Sequence, residues 1–301
     1  MKIRVNEYKL ESQKLNHNRD ILHISDIHSN ICALKNIKYL LTDKITDIMV
    51  TGDTLDRIEA KENKDILKEF KTLSQYANVI VSLGNHDTTS LMKNGLKKIE
   101  IPTNDLSFFK QLNEETDCIV MDDDISQYYF NSDSNIAVSA INMPTVWYQE
   151  GEDKEGFKNH LLLLSKMLNK DRFNILFSHT PNVFVNDDQL QIDNNDINLI
   201  LSGHNHGGLT PMFIQNLSKK HTGLVGPYAR ILQHNAFGYW TNNDTSLILS
   251  NGITKISNSS ELSLISTAIN TFFIPDVELI HLTPSDNHNL QLQKRKIHNI
   301  K

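Results

Sequence analysis

In the first third of the chain, short apolar runs alternate with segments in which apolar residues have helical spacing. The short runs predict β-strands at 20–25, 47–51 and 78–83. Between them, apolar side chains recur at helical spacing in 31–43 and 60–76, which predicts two helices. Strands that alternate with helices are typical of an α/β fold whose strands pair largely in parallel.

The rest of the chain contains more strand-like runs than helical ones. The predicted strands lie at 118–121, 127–131, 135–141, 173–178, 198–202, 246–250 and 277–282. One helix is predicted among them, at 158–168. This excess of strands predicts a second sheet that faces the first. We therefore expect an α/β fold with two facing mixed β-sheets flanked by helices.

Three segments, 88–116, 142–157 and 207–245, have no regular pattern. The first two are rich in Asn, Asp and Glu and are expected to form loops at a rim or small helices. Loops of that length are uncommon in compact domains unless they serve a function. No Pro-, Gly- or Ser-rich linker divides the chain, so we expect a single domain over 1–301.

The charge balance limits the binding partners. The 301 residues carry a formal net charge of −6, and 22% of them are charged. This balance argues against a broadly basic face, and we predict no sequence-specific nucleic-acid binding.

Signals for disulfides and membranes are sparse. The two cysteines, Cys32 and Cys118, are too few for a disulfide framework, and both are predicted to be buried small apolar residues. The N-terminus lacks the apolar region of a secretory signal, and the apolar stretches are far shorter than the ~18–20 residues that span a bilayer. We expect a cytoplasmic protein without a transmembrane segment, while peripheral membrane contact remains open.

Five of the predicted strands end in a short block of potential metal ligands. The blocks are Asp26-Ile27-His28, Gly52-Asp53, Gly84-Asn85-His86-Asp87, Ser178-His179 and Gly203-His204-Asn205-His206. Carboxylate, imidazole and amide groups suit hard-to-borderline divalent metals. In open α/β sheets, ligands bind outside the carboxyl ends of the strands. The blocks therefore predict one site on that edge, and two-metal sites serve mainly phosphate-ester chemistry.

Each block taken singly also has an ordinary structural explanation. Asp26 suits a helix cap, Asp53 a strand-to-loop turn and His179 a structural histidine. The blocks nevertheless contain five of the thirteen histidines, namely His28, His86, His179, His204 and His206. Because all five come just after apolar strands, their joint occurrence favours a shared site.

The ordered series Asp-x-His, Gly-Asp, Gly-Asn-His-Asp, His and Gly-His-x-His resembles the calcineurin-like metallophosphoesterase superfamily. His-Thr-Pro at 179–181 and Gly-His-Asn-His-Gly-Gly at 203–208 look most like a bacterial branch of small phosphodiesterases. The resemblance implies a four-layer α/β/β/α sandwich. It also implies a dinuclear-metal-dependent phosphodiesterase or pyrophosphatase that acts on a small phosphoester through a metal-bridging hydroxide.

Carried over to this chain, the resemblance implies two metal sites that share one carboxylate. The first set is Asp26, His28 and His206, the second is Asn85, His179 and His204, and the bridge is Asp53. His86 would contact the phosphate and assist the leaving group, and Asp87 would support the imidazole. These ligand types admit Mn, Fe, Zn or Co as the divalent metal ions.

Two other functions stay open, and the pattern leaves the substrate and the oligomeric state undetermined. The alternatives are a phosphomonoesterase for protein or small-molecule phosphates and a catalytically silent metal-binding scaffold. Aromatic and basic residues either contact the substrate or pack against the second sheet. They are Trp147, Tyr148, Tyr228, Arg230, Phe237, Tyr239 and Trp240.

Overall fold

Two β-sheets stacked face to face form the centre of the fold. The computed structural model describes residues 2–58, 61–94, 97–130, 135–192, 196–210, 215, 221–224, 232–254 and 274–299. In chain order the strands are β1 (Lys2–Ser12), β2 (Arg19–Ile24), β3 (Ile45–Thr51), β4 (Asn78–Ser82), β5 (Thr89–Asn94), β6 (Lys97–Pro102), β7 (Ile119–Met121), β8 (Ile125–Tyr129), β9 (Ile136–Ile141), β10 (Phe173–Ser178), β11 (Val185–Asn186), β12 (Gln189–Leu190), β13 (Leu199–Ser202), β14 (Gly238–Asn242), β15 (Thr245–Leu249), β16 (Asp276–Pro284) and β17 (Asn289–Asn299). The helices are α1 (Ile31–Ile37), α2 (Asn63–Leu73), α3 (Ser107–Glu115), α4 (Thr145–Gln149) and α5 (Lys154–Met167).

Both sheets are mixed, as the sequence predicted. The first has the strand order β17-β1-β16-β2-β3-β4-β7, in which β2, β3, β4 and β7 run parallel. The second has the order β14-β15-β13-β10-β9-β8, with a parallel centre and antiparallel edges. The hairpins β5–β6 and β11–β12 stand apart from them.

Three apolar layers separate the sheets and the helices. Successive side chains of a strand point to opposite faces, and in β3 Met49 packs between the sheets while Ile48 and Val50 pack towards the helices α1–α3. On the outer face of the second sheet, Leu176 packs with Leu164 of α5. The layers therefore alternate as helices, sheet, sheet and helices, which confirms the predicted four-layer α/β/β/α sandwich.

Two strands of the first sheet, β1 and β17, were absent from the sequence prediction. In β17 most side chains are exposed and polar, so this edge strand lacks an apolar face. In β1, Arg4 and Asn6 are buried between the apolar residues, which hides the usual alternation. The segments 88–116 and 142–157 contain regular elements as well, namely β5, β6, α3 and α4.

The two cysteines differ in exposure. Cys118 is buried as predicted, and burial raises the pKa of its thiol to about 11. The same prediction is wrong for Cys32, which is exposed. Helix α1 buries Ala33, Leu34 and Ile37, and Cys32 lies on its other side. In the described part of the chain, no helix is long and apolar enough to cross a membrane.

A buried polar cluster links β1 to β16. Arg4 and Asp276 form an ion pair with less than 5% of either side chain exposed. Asn6 donates hydrogen bonds from Nδ2 to Asp276 Oδ2 at 3.2 Å and to Glu278 Oε1 at 3.1 Å. Asn251 also donates to Asp276, from its backbone nitrogen to Oδ1 at 2.9 Å and from Nδ2 to Oδ2 at 2.7 Å. These bonds satisfy polar groups that would otherwise be costly to bury.

Replacing Glu278 with Gln is expected to make the free energy of unfolding less dependent on pH. Burial, and then the negative charge of Asp276, raise the pKa of Glu278 well above its ordinary value of 4.5. Above that value the unfolded chain releases the proton while the folded chain retains it, so wild-type stability falls as the pH rises towards the folded pKa. Denaturant unfolding between about pH 4 and pH 8 measures this. As the pH rises, the free energy of unfolding of the variant is expected to increase relative to that of the wild type. A difference between the two that stays constant with pH would contradict the prediction.

Candidate active site

The five blocks lie where the central strands of both sheets end. Asp26 and His28 follow β2, Asp53 follows β3, and the block at 84–87 follows β4. The second sheet contributes the residues after β10 and β13. Parallel strands present their carboxyl ends at one edge, so residues up to 180 positions apart in the chain come together there.

The first group of side chains consists of Asp26, His28 and His206. The two imidazoles lie with Nε2 atoms 3.3 Å apart. Asp26 Oδ1 is 3.6 Å from His206 Nε2 and 3.9 Å from His28 Nε2. Potential ligand atoms of all three residues lie within 4.8 Å of one another, a spacing suited to one metal ion.

Asp53, His179 and His204 form the second group, with potential ligand atoms again within 4.8 Å of one another. Asp53 Oδ2 lies 3.2 Å from His179 Nε2, and the same oxygen lies 3.6 Å from His28 Nε2 in the first group. One carboxylate oxygen of Asp53 therefore lies between the two groups. The structure thus brings six of the seven predicted metal ligands into two adjacent clusters.

Asn85, the seventh predicted ligand, is fixed through its backbone. Its carbonyl oxygen accepts hydrogen bonds from the hydroxyl groups of Thr89 and Thr145, both at 2.7 Å. Its side-chain oxygen Oδ1 is buried and accepts no hydrogen bond. Leaving such an acceptor unsatisfied costs about 1–3 kcal/mol, and a cation would remove that cost.

The tautomer of His179 also fits a cation. Its Nδ1 lies 2.8 Å from the carbonyl oxygen of Thr51, which can only accept, so Nδ1 carries the proton. Nε2 is buried and makes no hydrogen bond, although Asp53 Oδ2 is near. Burial alone would lower the pKa of His179, but the Asp53 carboxylate raises it to about 10. Without a cation, a proton therefore occupies this position, and cation binding is expected to release it.

His86 is oriented by a residue other than the predicted one. Its Nδ1 donates to the carbonyl oxygen of Asp56 at 3.0 Å. Asp87 was expected to support this imidazole, but its buried carboxylate accepts from the backbone nitrogens of Leu55 and Gly84, each at 2.8 Å. Asp87 thus holds together the loops that carry Asp53 and Asn85. Burial, and then the charge of Asp53, raise the pKa of Asp87 to about 7.

The backbone around the site is strained. Six residues of the blocks and their flanks adopt positive φ values without being glycine: Asp26, His28, Ser29, Asp53, His204 and His206. Each such conformation costs on the order of 1–3 kcal/mol, and such residues cluster at functional sites. Gly84 is required for close approach, because a Cβ there would lie 2.2 Å from Asp53 Oδ1. A fold that maintains this strain holds the side chains of the blocks in fixed positions.

The pKa of the Asp53 carboxyl and those of two site histidines are lowered, for different reasons. Burial opposes ionisation of Asp53, but His179, His86 and His28 outweigh it and hold the pKa of Asp53 well below its ordinary value. Burial also lowers the pKa of His28 and of His206. The site therefore combines the ionised carboxylate of Asp53 with neutral imidazoles at His28 and His206, which is the state in which these groups bind metal ions.

Glu152 is a site residue that the sequence analysis missed. Its Oε1 lies 3.3 Å from His204 Nε2, and both side chains are 4% exposed. Glu152 is one of four acidic residues in the segment 142–157, the others being Glu150, Asp153 and Glu155, so no spacing pattern connected it with the histidines.

The aromatic residues of the rim are mostly packed. Trp147, Tyr148, Phe237 and Trp240 are buried, which favours the packing interpretation. Tyr148 contacts the rings of two site histidines, with centroids 6.0 Å from His179 and 5.2 Å from His204. Two further residues considered from sequence, Tyr228 and Arg230, lie outside the described residues.

A comparison with models of protein families identifies the family of the chain. The model of the calcineurin-like phosphoesterase family matches residues 19–208. No curated protein matches the chain. Three similar solved structures are phosphopantetheinyl hydrolase from Mycobacterium tuberculosis (11% identity, 62% of this chain, 83% of that chain, TM-score 0.37), TT1561 of Thermus thermophilus (11%, 79%, 92%, 0.47) and NAD nucleotidase of Haemophilus influenzae (13%, 79%, 46%, 0.44). The family match spans well over half of the chain and includes all five blocks. The chain therefore belongs to the calcineurin-like phosphoesterase family and is a metal-dependent phosphoester hydrolase.

Proposed function

We propose that this enzyme binds two divalent cations and hydrolyses a small phosphodiester or pyrophosphate. The proposed ligands are Asp26, His28 and His206 for one cation, Asn85, His179 and His204 for the other, and Asp53 for both. The position of Asp53 carries the proposal, since its Oδ2 lies 3.6 Å from His28 Nε2 and 3.2 Å from His179 Nε2. An oxygen between two groups of nitrogen ligands suits a bridging role. Bound there, divalent cations supply Lewis acidity, which lowers the pKa of water and neutralises charge on phosphoryl oxygens.

The exposure of the site residues indicates how substrate enters. Asp53 and His179 are buried at the back of the site. His28, His86 and His206 are only partly buried. We infer that a phosphoester approaches from the side of these three histidines and meets His86 first among the groups that are not proposed ligands.

His86 is the proposed general acid. The Asp56 carbonyl holds the proton on Nδ1, so Nε2 is the nitrogen that exchanges a proton with substrate. The ring lies edge to face with His28, with centroids 4.7 Å apart, beside the proposed cation positions. Protonated at Nε2, His86 would donate a proton to the departing oxygen. Asp87 is a positioning residue that acts through the backbone of Leu55 and Gly84.

The preference for diesters rests on the resemblance of 179–181 and 203–208 to the bacterial phosphodiesterase branch. The test uses a chelator-treated enzyme reconstituted separately with Mn, Fe, Zn or Co. Hydrolysis of chromogenic diesters and monoesters is then compared. Faster diester turnover supports the proposal, and faster monoester turnover would replace it with a phosphomonoesterase. Stoichiometric metal binding without turnover of any ester would indicate a metal-binding scaffold.

Replacing His86 with Ala is expected to lower kcat by about 10²–10⁴-fold for esters with poor leaving groups, since general acid catalysis contributes that much. Esters with good leaving groups need less protonation of the departing oxygen and are expected to lose less. The measurement is the ratio of rates for nitrophenyl and alkyl esters. His17→Ala, at an exposed histidine, is the matched control. An equal loss for both ester classes would argue against the general-acid role.

A further inference from the structure

A buried carboxylate that belongs to none of the five blocks contacts a site histidine. Glu152 follows α4 and lies with Oε1 3.3 Å from His204 Nε2. Glu152 adopts a positive φ of 61°, a conformation that a non-glycine residue holds at a cost of about 1–3 kcal/mol. Its backbone nitrogen donates to the carbonyl oxygen of Trp147 at 3.0 Å, which anchors the turn. A strained backbone conformation at Glu152 thus places this carboxylate beside His204.

Glu152 is held in place by further hydrogen bonds. Thr180 donates from Oγ1 to Oε1 at 3.1 Å, and Asn182 donates from Nδ2 to Oε2 at 2.8 Å. Asn205, which lies between the two histidines of the last block, donates from Nδ2 to Asn182 Oδ1 at 3.2 Å. The carboxylate is therefore part of a buried network that reaches the block carrying His204, and both of its oxygens have donors.

The contact decides which nitrogen of His204 carries a proton. A carboxylate accepts hydrogen bonds, so Nε2 carries the proton that it shares with Glu152. In a neutral imidazole the other nitrogen, Nδ1, then keeps its lone pair. His179 has the reverse arrangement, because its Nδ1 donates to the Thr51 carbonyl. With a cation bound in place of the Nε2 proton of His179, the two histidines of one group would thus have opposite tautomers.

We infer that Glu152 is a positioning residue that fixes His204 in the Nε2–H tautomer, so that His204 binds its cation through Nδ1 while His179 binds through Nε2. Metal-bound histidines almost always donate their second N–H to a carboxylate or a carbonyl, and loss of that partner typically costs 10–100-fold in metal affinity or activity. This inference rests on the proposed function, because it needs a cation between Asp53, His179 and His204.

The first test compares cation affinities of the whole protein by competition with a chromophoric chelator. Glu152→Gln keeps the size of the side chain but leaves one acceptor oxygen for the donors of His204, Thr180 and Asn182. It is expected to weaken one of the two cation sites by about 10–100-fold. Glu152→Asp is expected to recover part of that loss. Glu150→Gln, at an exposed glutamate two positions earlier, is the matched control and is expected to bind both cations as the wild type does.

The second test reads the tautomer directly in the wild-type protein, so it holds even if a variant fails to fold. Nitrogen-15 NMR of the histidine side chains in the metal-free protein is expected to show His204 with its proton on Nε2 and none on Nδ1. An Nδ1–H tautomer for His204 would overturn the inference. Unchanged affinity of both sites in Glu152→Gln, or equal weakening of both, would overturn it as well. A wild-type protein that binds no cation would overturn the proposed function with it, whereas two cations bound normally by Glu152→Gln would overturn the positioning role alone.

Discussion

Replacing Asp53 with Asn is expected to abolish metal-dependent hydrolysis, with kcat/KM lowered by more than about 10³-fold. Loss of a single stabilising donor in an active site already costs about 10²–10³-fold, and Asp53 is the residue shared by both proposed cation sites. The amide keeps the shape and can still accept the hydrogen bond that the His86 backbone nitrogen donates to Oδ1 at 2.8 Å. At Oδ2 it replaces an anionic oxygen beside two imidazole nitrogens with a donor. The expected loss of hydrolysis therefore results from the changed charge at the site, while the loop that carries residue 53 keeps its conformation.

Metal content and turnover of this variant are measured on the same preparation. The expected result is a folded protein with less bound metal and no detectable metal-stimulated turnover. Asp65→Asn, at an exposed aspartate of α2, controls for the change of charge and is expected to behave as the wild type. Wild-type turnover in the Asp53→Asn variant would contradict the assignment of the site.

Replacing Asp276 with Asn is expected to destabilise the fold by about 3–5 kcal/mol, the usual cost of removing one partner of a buried ion pair. Arg4 and Asp276 are 3% and 0% exposed, so the guanidinium would lose its counter-ion away from water. Burial opposes the charge on Arg4, yet its pKa is raised, because Asp276 outweighs that cost. The new amide would also face the Nδ2 donors of Asn6 and Asn251. Four donor groups, the Arg4 guanidinium, Asn6 Nδ2 and the two nitrogens of Asn251, would then compete for one acceptor.

Urea unfolding of the metal-free protein at neutral pH measures this effect. Asp286→Asn, at an exposed aspartate, is the control for the change of charge and is expected to change the free energy of unfolding by less than about 0.5 kcal/mol. A change below about 0.5 kcal/mol in the single variant, the range of ordinary surface substitutions, would show that the pair contributes little.

The central strands could be predicted because their burial is visible in their composition. β3 contains the apolar run Ile48-Met49-Val50 and β10 the run Ile175-Leu176-Phe177, since both faces of each strand are covered. β1 could not be predicted, because Arg4 and Asn6 are buried only with the help of Asp276 and Glu278, which lie 270 or 272 positions later in the chain. The polar edge strand β17 was invisible for the opposite reason, since most of its side chains face water.

The site also contains residues that could be predicted from the sequence and residues that could not. Asp26, His28 and the other block residues were recognisable because each follows an apolar strand, and parallel strands end at one edge. Glu152 was missed because its partner His204 lies 52 positions later in the chain and nothing in its neighbourhood repeats. Asp87 was expected beside His86 but accepts hydrogen bonds from the backbone nitrogens of Leu55 and Gly84. Every residue type except proline has such a nitrogen, so the sequence does not identify these partners.

The number of divalent cations bound per chain tests whether the site holds two cations that share Asp53. It is measured by titrating the chelator-treated enzyme with Mn or Zn while phosphodiester hydrolysis is followed in the same samples. We expect two equivalents per chain, with hydrolysis reaching its maximum as the second equivalent binds and disappearing when a chelator removes the metal. Full hydrolysis with one equivalent, or in excess chelator, would contradict it.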